Sequence, residues 1–462
     1  MTVRGDIAVI GAGIGGYVAA LRAAQLGAKV VLIEKDRVGG VCLNWGCIPT
    51  KTLLRTAEVL QLAREASKYG VMVGEPALDW TAAQKRKEQV VSRLTGGVGH
   101  LLNRAGVNVL HGKASFASPT ELEVSNDEGS ERVEASSFVI ASGSRPASLP
   151  LPGLDGPGVL SSDGALALEA VPGSVLVVGA GAIGVEFAAL FGACGAQVTI
   201  VEILPRVLPA LDADLGAEVE RALKRSKVRV HTSSKVARVE ARNTGYAVTL
   251  ESEDKEIGVE VETIVLAVGR RPSVDGLGLA SAGVATGQQG IIVDERMRTN
   301  VPHVYAVGDV TGGMLLAHVA MHEGIVAVEN ALGHDRRVDY NAVPSCVFGS
   351  PEVATVGLSE EKALERGYDI KVGRFPFRAN GKALAHGDYD GLVKIVADSE
   401  YGQVLGVHIV GPHASDLIQE GTMALTLEAT LDEFEATIHP HPTLTEALAE
   451  AALAAEGRAL HI

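Results

Sequence analysis

Two cysteines near the amino terminus are the residues best placed to do chemistry. Cys42 and Cys47 lie in the segment GGVCLNWGCIPTK, residues 39–51. Thiols this close can cycle between a dithiol and a disulfide and exchange electrons with a thiol substrate. A regular helix would separate them by about 7.5 Å along its axis, whereas a disulfide needs Cα atoms within about 6.8 Å. We therefore predict a looped or distorted segment, in which Gly46 gives backbone freedom and a helix begins near Cys47.

The predicted helix start favours reactive thiols. Pro49 suits a first helical turn, where its missing N–H costs nothing. The positive end of the helix dipole would favour the thiolate of Cys47, the form that redox chemistry uses. Buried free thiols or half of a zinc site are the alternatives, but no second close cysteine pair exists to complete a metal site. Cys194 and Cys346 are interpreted as packed structural thiols.

A histidine and a glutamate near the carboxyl terminus form a second candidate group. His441 and Glu446 lie in the segment TIHPHPTLTE, residues 437–446. Histidine can take a proton from a thiol near neutral pH, and a carboxylate on its other ring nitrogen would fix the tautomer and raise its basicity. In isolation such histidines are also found as loop residues or metal ligands. His439 is a neighbour to which no catalytic role is assigned.

The elements around these residues include a duplicated unit of strand, glycine turn, helix and strand. Its strands and turns are Ile7–Ile10, 11–16 and Lys29–Glu34 in the first copy, and Val175–Val178, 179–184 and Gln197–Glu202 in the second. Each copy reads GxGxxG between an apolar strand and a helix, with an acidic residue at the end of the next strand, a pattern typical of dinucleotide binding. The sequence therefore predicts two dinucleotide sites.

The acidic residues at the strand ends predict which nucleotides bind. Glu34 and Glu202 would each accept a hydrogen bond from a ribose hydroxyl. A carboxylate at Glu202 would repel the 2′-phosphate of NADP, so the second site is expected to prefer NAD. The nearby Arg206 weakens this expectation only slightly, because a single arginine beyond the strand is more often a solvated surface charge.

Composition limits the class of protein. The chain has 462 residues, 47% of them hydrophobic, a net charge of −15 and four cysteines. This length predicts two or more domains. The negative charge argues against nucleic acid or anionic lipid as a partner, no apolar run predicts a membrane span, and few cysteines argue against a secreted disulfide scaffold. We expect a cytoplasmic protein without a signal or transit peptide.

Further motifs extend these observations to the whole chain. They are ASGSRP at residues 141–146, VGD at 307–309 and HPTLTE at 441–446. Together with the cysteine segment and both glycine fingerprints, in this order, they resemble the class I pyridine nucleotide-disulfide oxidoreductases. The resemblance implies an α/β fold with two Rossmann-like dinucleotide-binding domains and a C-terminal α+β dimerisation domain. The expected segments are 1–149 (first part of the FAD domain), 150–271 (NAD domain), 272–340 (central segment completing the FAD domain) and 341–462 (interface domain).

The resemblance also implies roles for individual residues. Lys51 would lie near the flavin, paired with Glu186, and Asp309 would hold the ribityl chain. Residues expected to bind FAD are Gly11, Gly13, Gly16, Glu34, Lys51, Gly112, Ser142, Gly143, Ser144, Asp309, Leu315, Leu316, Ala317 and His318. Those expected to bind NAD are Gly179, Gly181, Ile183, Gly184, Glu186, Glu202, Val236 and Gly269. No metal is expected.

The activity implied is oxidation of protein-bound dihydrolipoyl groups, with Cys42, Cys47, His441 and Glu446 as catalytic residues and NAD as the final acceptor. The enzyme would be a homodimer in which His441 faces the cysteine pair of the opposite subunit. Its partners would be lipoyl-bearing proteins of 2-oxo acid dehydrogenase or glycine cleavage complexes. The alternatives are an NAD(P)H-dependent reductase of another small disulfide, such as glutathione reductase, and a mainly structural subunit of a multienzyme complex.

Overall fold

The structure, a computed structural model, describes residues 2–252 and 255–462. It contains two compact units. The first comprises Met1–Leu53, Thr81–Ala147 and Gly269–Asp339, and the second comprises Leu54–Trp80, Ser148–Val268 and Tyr340–Ile462.

The strands, in chain order, are β1 (Thr2–Ile10), β2 (Val30–Glu34), β3 (Asn108–His111), β4 (Lys113–Ser118), β5 (Glu121–Asn126), β6 (Gly129–Ile140), β7 (Ser144–Pro146), β8 (Val159–Ser161), β9 (Ser174–Val178), β10 (Gln197–Val201), β11 (Arg229–His231), β12 (Ser234–Arg242), β13 (Gly245–Ser252), β14 (Lys255–Val261), β15 (Thr263–Leu266), β16 (Arg270–Pro272), β17 (Thr286–Gly287), β18 (Gly290–Ile291), β19 (Val304–Ala306), β20 (Ser345–Val347), β21 (Glu352–Gly357), β22 (Ile370–Pro376), β23 (Leu392–Asp398) and β24 (Val404–Gly411).

The α-helices are α1 (Ile14–Gln25), α2 (Gly40–Trp45), α3 (Cys47–Glu65), α4 (Trp80–Arg104), α5 (Ser162–Leu166), α6 (Ala182–Ala193), α7 (Ala213–Arg225), α8 (Leu279–Ala282), α9 (Ala317–Ala331), α10 (Glu360–Glu365), α11 (Gly381–His386), α12 (Ala414–Thr426), α13 (Leu431–Ala436) and α14 (Glu446–Ala455). No helix within the described ranges is long and apolar enough to cross a membrane.

A parallel sheet forms the centre of the first unit. Its strands follow the order β3-β2-β1-β6-β19, and an antiparallel β4-β5-β6 extension continues from β6. The central strands are buried on both faces, which is why they appear in the sequence as continuous apolar runs rather than alternating ones. Helices α1 and α9 pack together beside the sheet. The glycine turn after β1 therefore lies at the carboxyl edge of a parallel sheet.

The second unit repeats this topology. Its parallel sheet has the order β11-β10-β9-β15-β8, and an antiparallel meander, β12-β13-β14, precedes β15 just as β4 and β5 precede β6. The duplication visible in the sequence is thus a duplication of fold, and the prediction of two Rossmann-like units is confirmed.

The same unit contains a second, antiparallel sheet formed by the C-terminal part of the chain. Its order is β20-β21-β24-β23-β22, and α12 and α14 pack against it around a single apolar core. The predicted α+β ending is confirmed. The four segment boundaries given above remain predictions.

A buried lysine joins this antiparallel sheet to the second glycine unit. Lys394, on β23, places its Nζ atom 2.9 Å from Asp212, 2.9 Å from Asp214 and 2.7 Å from Glu360. The side chains of Lys394 and Asp212 are only 2% and 1% exposed. Burial opposes the charge on Lys394, but the hydrogen bonds that the ammonium donates to Glu360 and Asp212 outweigh this cost, so the pKa of Lys394 is raised. Asp212 also caps α7 by accepting the N–H of Asp214.

We expect Lys394→Met to destabilise the protein by about 3–5 kcal/mol, because it leaves the buried carboxylate of Asp212 without a cation. Urea unfolding at fixed protein concentration measures the loss. Arg374→Met is the matched control: Arg374 also pairs with Asp214 and Glu360, but its side chain is 43% exposed, so its loss is expected to cost about 1 kcal/mol or less. Equal effects of the two substitutions would contradict the importance of the buried pair.

Candidate active site

The cysteine segment consists of two helices that meet at Gly46. Helix α2 ends at Trp45 and α3 begins at Cys47, so the helix start predicted from the sequence is confirmed. A Cβ atom at Gly46 would lie 2.8 Å from the carbonyl oxygen of Val41, a contact that no side chain could make without displacing the backbone. Gly46 therefore allows the backbone to turn sharply between the two cysteines, and Pro49 occupies the first turn of α3.

The side chains of Cys42 and Cys47 are hydrogen-bonded to each other. The hydrogen bond with Cys47, followed by burial, raises the pKa of the Cys42 thiol strongly, while the ammonium of Lys51 opposes the rise. The thiol of Cys42 therefore holds its proton more tightly than an ordinary cysteine does. Lys51, one helical turn after Cys47, is near enough to act on this pair.

The first glycine turn is held in place by Glu34. Gly11 has a φ of +100°, and a Cβ atom at Gly16 would lie 1.8 Å from the carbonyl oxygen of Gly11. Glu34 Oε2 accepts the N–H of Ala12 at 2.6 Å, and Oε1 accepts the N–H of Asp36 at 2.8 Å. A carboxylate offers about four lone-pair positions, so Glu34 can brace the turn and still accept a ribose hydroxyl.

The second turn repeats this geometry. Gly179 has a φ of +104°, and a Cβ atom at Gly184 would lie 1.9 Å from the carbonyl oxygen of Gly179. Glu202 Oε2 accepts the N–H of Ala180 at 2.7 Å, and Oε1 accepts the N–H of Leu204 at 2.9 Å. Bracing of the turn is a role of the two glutamates that the sequence analysis did not foresee.

Asp309 lies within a polar cluster of the first unit. Its carboxylate contacts the hydroxyl of Ser144, which also accepts the Nε–H of Arg270 at 2.7 Å. The other arm of Arg270 donates to the carbonyl oxygen of Ser144 at 3.0 Å. Glu323, 2% exposed, accepts the N–H of Gly308 at 2.6 Å and so supports the turn that carries Asp309.

Sequence analysis did not single out Arg270 and Glu323. The signals were present: Arg270 follows the turn after an apolar run, and Glu323 is an acidic residue within the largely apolar α9. What these residues pair with depends on distant parts of the chain, so their roles could not be inferred from sequence spacing.

The other candidates for the first site also lie in this unit. Ser142 donates to the carbonyl oxygen of Ser273 at 2.9 Å, Gly143 has a φ of +70°, and the N–H of Gly112 donates to the carbonyl oxygen of Glu34 at 2.9 Å. Leu315 and Leu316 immediately precede α9, which begins with Ala317 and His318.

Candidates for the second site lie mostly in the second unit. Gly181 caps α6, whose first turn contains Ile183. Glu186 is buried on α6 and accepts the N–H of Phe348 at 3.0 Å. Val236 lies on β12, and Gly269, the first residue of a first-unit segment, has a φ of +101°. The pairing of Lys51 with Glu186 remains a prediction.

The histidine–glutamate pair is formed. His441 Nδ1 lies 2.9 Å from Glu446 Oε1, and Glu446 Oε2 accepts the N–H of Thr443 at 2.8 Å. Partial burial opposes the charge on Glu446, but the Thr443 N–H and His441 outweigh it and lower its pKa. With Nδ1 engaged by a carboxylate, His441 presents Nε2 as a proton acceptor. Its side chain is 79% exposed.

Comparison with known proteins agrees with this geometry. Residues 5–324 match the family described as pyridine nucleotide-disulphide oxidoreductase, and residues 343–452 match the dimerisation domain of the same family. The chain belongs to the pyridine nucleotide-disulphide oxidoreductases.

Individual members of this family are similar along their whole length. Proteins named dihydrolipoyl dehydrogenase from Thermus scotoductus and Bacillus subtilis are 46% and 42% identical, over 99% and 100% of this chain and 98% and 100% of their own. A Cu(II) complex of the HOCl-induced flavoprotein disulfide reductase RclA from Escherichia coli superposes with a TM-score of 0.88, at 30% identity over 97% of this chain and 99% of that one.

The cofactors of this oxidoreductase are FAD and NAD, as predicted. The two glycine turns fit them. Within the described residues, neither α1 nor α6 has a side-chain cap or an acidic residue in its first turn, since Gly13 and Gly181 are the capping residues. Their N-terminal N–H groups are therefore available to a pyrophosphate. The first unit also contains a cavity of about 420 Å³, lined by Asp36, Val38 and His111 among others.

Proposed function

We propose that the protein oxidises dihydrolipoyl groups to the cyclic disulfide and reduces NAD, with Cys42 and Cys47 as the redox pair. The observation that carries the proposal is the hydrogen-bonded pair of thiols at the start of α3, in the same unit as the first glycine turn. Support for the substrate comes from full-length relatives that are named dihydrolipoyl dehydrogenase.

The exchange between substrate and protein begins with the Cys42–Cys47 disulfide. His441 Nε2 takes a proton from one substrate thiol, and the resulting thiolate attacks the sulfur of Cys42. The Cys42–Cys47 bond breaks, a substrate–Cys42 disulfide forms, and Cys47 leaves as a thiolate. The second substrate thiol then attacks the substrate sulfur of this mixed disulfide, which releases the cyclic disulfide and the Cys42 thiol. Two electrons have then passed from the substrate to the cysteine pair.

The electrostatics of the pair suit this direction of attack. The raised pKa of the Cys42 thiol makes Cys42 the poorer leaving group, which favours attack of the substrate on Cys42 with departure of Cys47. Lys51 acts on the pair from the next turn of α3. When bound, FAD and NAD supply the two-electron transfer that returns the pair to the disulfide.

The residues predicted from the sequence would hold the cofactors in this scheme. The turn residues Gly11, Gly13 and Gly16 would receive the pyrophosphate of FAD, and Asp309, braced by Ser144, the ribityl chain. The pyrophosphate of NAD would bind at the second turn, formed by Gly179, Gly181 and Gly184. Glu202 would accept a hydrogen bond from a ribose hydroxyl of NAD.

The dimerisation domain supports a homodimer. We further propose that His441 acts on the cysteine pair of the opposite subunit, since it is exposed on a single chain. The partners would be lipoyl-bearing proteins of 2-oxo acid dehydrogenase or glycine cleavage complexes, in the cytoplasm.

Reduction of another small disulfide is the second candidate, favoured by the similarity to a flavoprotein disulfide reductase. An anaerobic titration of the purified protein distinguishes the two. Under our proposal, dihydrolipoamide changes the visible flavin spectrum, and added NAD reverses the change as NADH appears. A flavin that ignores dihydrolipoamide but responds to NADH or NADPH would overturn the substrate and support the disulfide reductase.

The preference for NAD over NADP is expected to follow from the carboxylate of Glu202 and not from the neighbouring Arg206. Arg206 donates two hydrogen bonds to the carboxylate of Glu361, from Nη1 to Oε1 at 2.7 Å and from Nη2 to Oε2 at 2.8 Å. Its guanidinium is therefore already paired and is not expected to bind the 2′-phosphate of NADP. We expect Glu202→Ala to lower the ratio of kcat/KM for NAD over NADP about 10- to 100-fold, equivalent to about 1.4–2.7 kcal/mol. Because Glu202 also braces the turn, the absolute rate with NAD is expected to fall as well.

Glu361→Ala is the matched control for this test. It frees Arg206 while retaining the carboxylate of Glu202, so the preference for NAD is expected to persist. Steady-state kinetics with both nucleotides measure the two variants. An unchanged ratio in Glu202→Ala would remove Glu202 from the selectivity site.

A further inference from the structure

A second histidine–glutamate pair lies two residues before the proposed base. His439 Nε2 is 2.8 Å from Glu420 Oε1, on α12, and His439 Nδ1 is 3.0 Å from the carbonyl oxygen of Thr437. The side chain of His439 is only 7% exposed, whereas that of His441 is 79% exposed.

The partners of His439 determine its protonation. A carboxylate and a carbonyl oxygen are both acceptors, and a neutral imidazole has only one N–H to donate. Both contacts are satisfied at once only when both ring nitrogens carry a proton. The pKa of His439 is raised accordingly, chiefly by the hydrogen bond with Glu420 and, against the cost of burial, by the Thr437 carbonyl and the charge of Glu446.

The two pairs meet at Glu446. This carboxylate binds His441 directly and is also close enough to act on His439. The other charged groups that face the two pairs are Glu420, on α12, and His461, which acts on Glu446 and pairs with Glu450 on α14. Glu446 therefore interacts both with the buried imidazole of His439 and with the exposed imidazole of His441, which it orients.

We propose that Glu420 and His439 form a buried ion pair that positions the segment carrying His441 and supplies the positive charge that balances Glu420 beside the His441–Glu446 pair. His439 is a positioning residue in this scheme, because it acts through Glu446 and the segment that carries His441. The proposal concerns the same site as the proposed function and rests on the role assigned there to His441.

The charges of His439 and Glu420 predict the direction in which each substitution changes the protonation of His441. His439→Gln removes the cation and leaves Glu420 as an uncompensated negative charge, which favours protonation of His441. Glu420→Gln removes the acceptor that holds the second proton on His439, so the pair changes from one positive and one negative charge to two neutral groups. The first change alters the net charge near His441 and the second does not.

The reaction of His441 with diethyl pyrocarbonate reports this effect without any substrate. The reagent modifies unprotonated imidazole, and peptide mass spectrometry of the FAD-loaded dimer separates His441 from the other histidines. We expect His439→Gln to raise the midpoint of the pH–rate profile for His441 by about 0.5–1 pH unit, which is the effect expected of one nearby charge that is partly screened by solvent. Glu420→Gln, and the double variant His439→Gln with Glu420→Gln, are expected to leave the midpoint unchanged.

His439→Lys is the matched control, since it keeps a cation but not the imidazole geometry, and it is expected to leave the midpoint near that of the wild type. If His439→Gln does not fold, the double variant His439→Lys with Glu420→Gln carries the test, because its unbalanced cation is expected to lower the midpoint by a similar amount. The proposal would be overturned if His439→Gln, or the folded variant His439→Lys with Glu420→Gln, had the same midpoint as the wild type. Dihydrolipoamide turnover is measured separately, so failure of the proposed substrate would leave these profiles unchanged.

Discussion

Cys47→Ser is expected to abolish the oxidation of dihydrolipoamide by NAD. Serine cannot form a disulfide with Cys42, so the substrate thiolate has no disulfide to attack, no mixed disulfide forms, and no electrons can leave the substrate through the pair. Stopped-flow mixing with dihydrolipoamide under anaerobic conditions is expected to show no change in the flavin spectrum. The protein is expected to retain FAD, because the turn formed by Gly11–Gly16 and the Asp309 cluster does not include Cys47.

Cys194→Ser is the matched control for this substitution. Cys194 caps α6, and burial raises the pKa of its thiol to about 11, so it is unsuited to thiol exchange. Its replacement is expected to leave turnover intact. Dihydrolipoamide oxidation retained by Cys47→Ser would refute the proposed route for electrons through the pair.

His441→Gln is expected to lower kcat/KM for dihydrolipoamide about 10²- to 10⁴-fold, the ordinary contribution of a general base. Glutamine cannot take the proton from the substrate thiol, and its amide offers Glu446 only a neutral hydrogen bond. Part of the lost rate is expected to return as pH rises and substrate thiolate forms without the base. Steady-state kinetics across pH measure both effects.

His413→Gln serves as the control, because His413 is an exposed histidine near a carboxylate, with Nδ1 3.8 Å from Asp416, outside the proposed site. The His413→Gln variant is expected to oxidise dihydrolipoamide at the wild-type rate. Electron transfer from NADH to an artificial acceptor that needs no thiol is expected to be unaffected in both variants. Loss of that activity in His441→Gln would mean that the substitution damaged the nucleotide or flavin site rather than the proton transfer.

Much of the scaffold could be predicted because its signals are local. A strand buried on both faces is a short apolar run, a turn that approaches a phosphate needs glycine, and a disulfide limits the spacing of its cysteines. Gly16 and Gly184 illustrate this, since a Cβ atom at either would overlap the carbonyl oxygen at the start of its own turn. Similar arguments predicted the break at Gly46 and the start of α3 at Cys47.

The sequence by itself therefore determined the two glycine-turn units, the helix break between Cys42 and Cys47, and the His441–Glu446 pair, all of which depend on residues close together in the chain. Tertiary structure alone decided which distant charges meet. Lys394 pairs with Asp212 across 182 positions and Arg270 with Ser144 across 126, and the raised pKa of His439 depends on Glu420 from α12. The physical reason is that the energy of a charge depends on its burial and on its partners, and neither is fixed until the chain has folded.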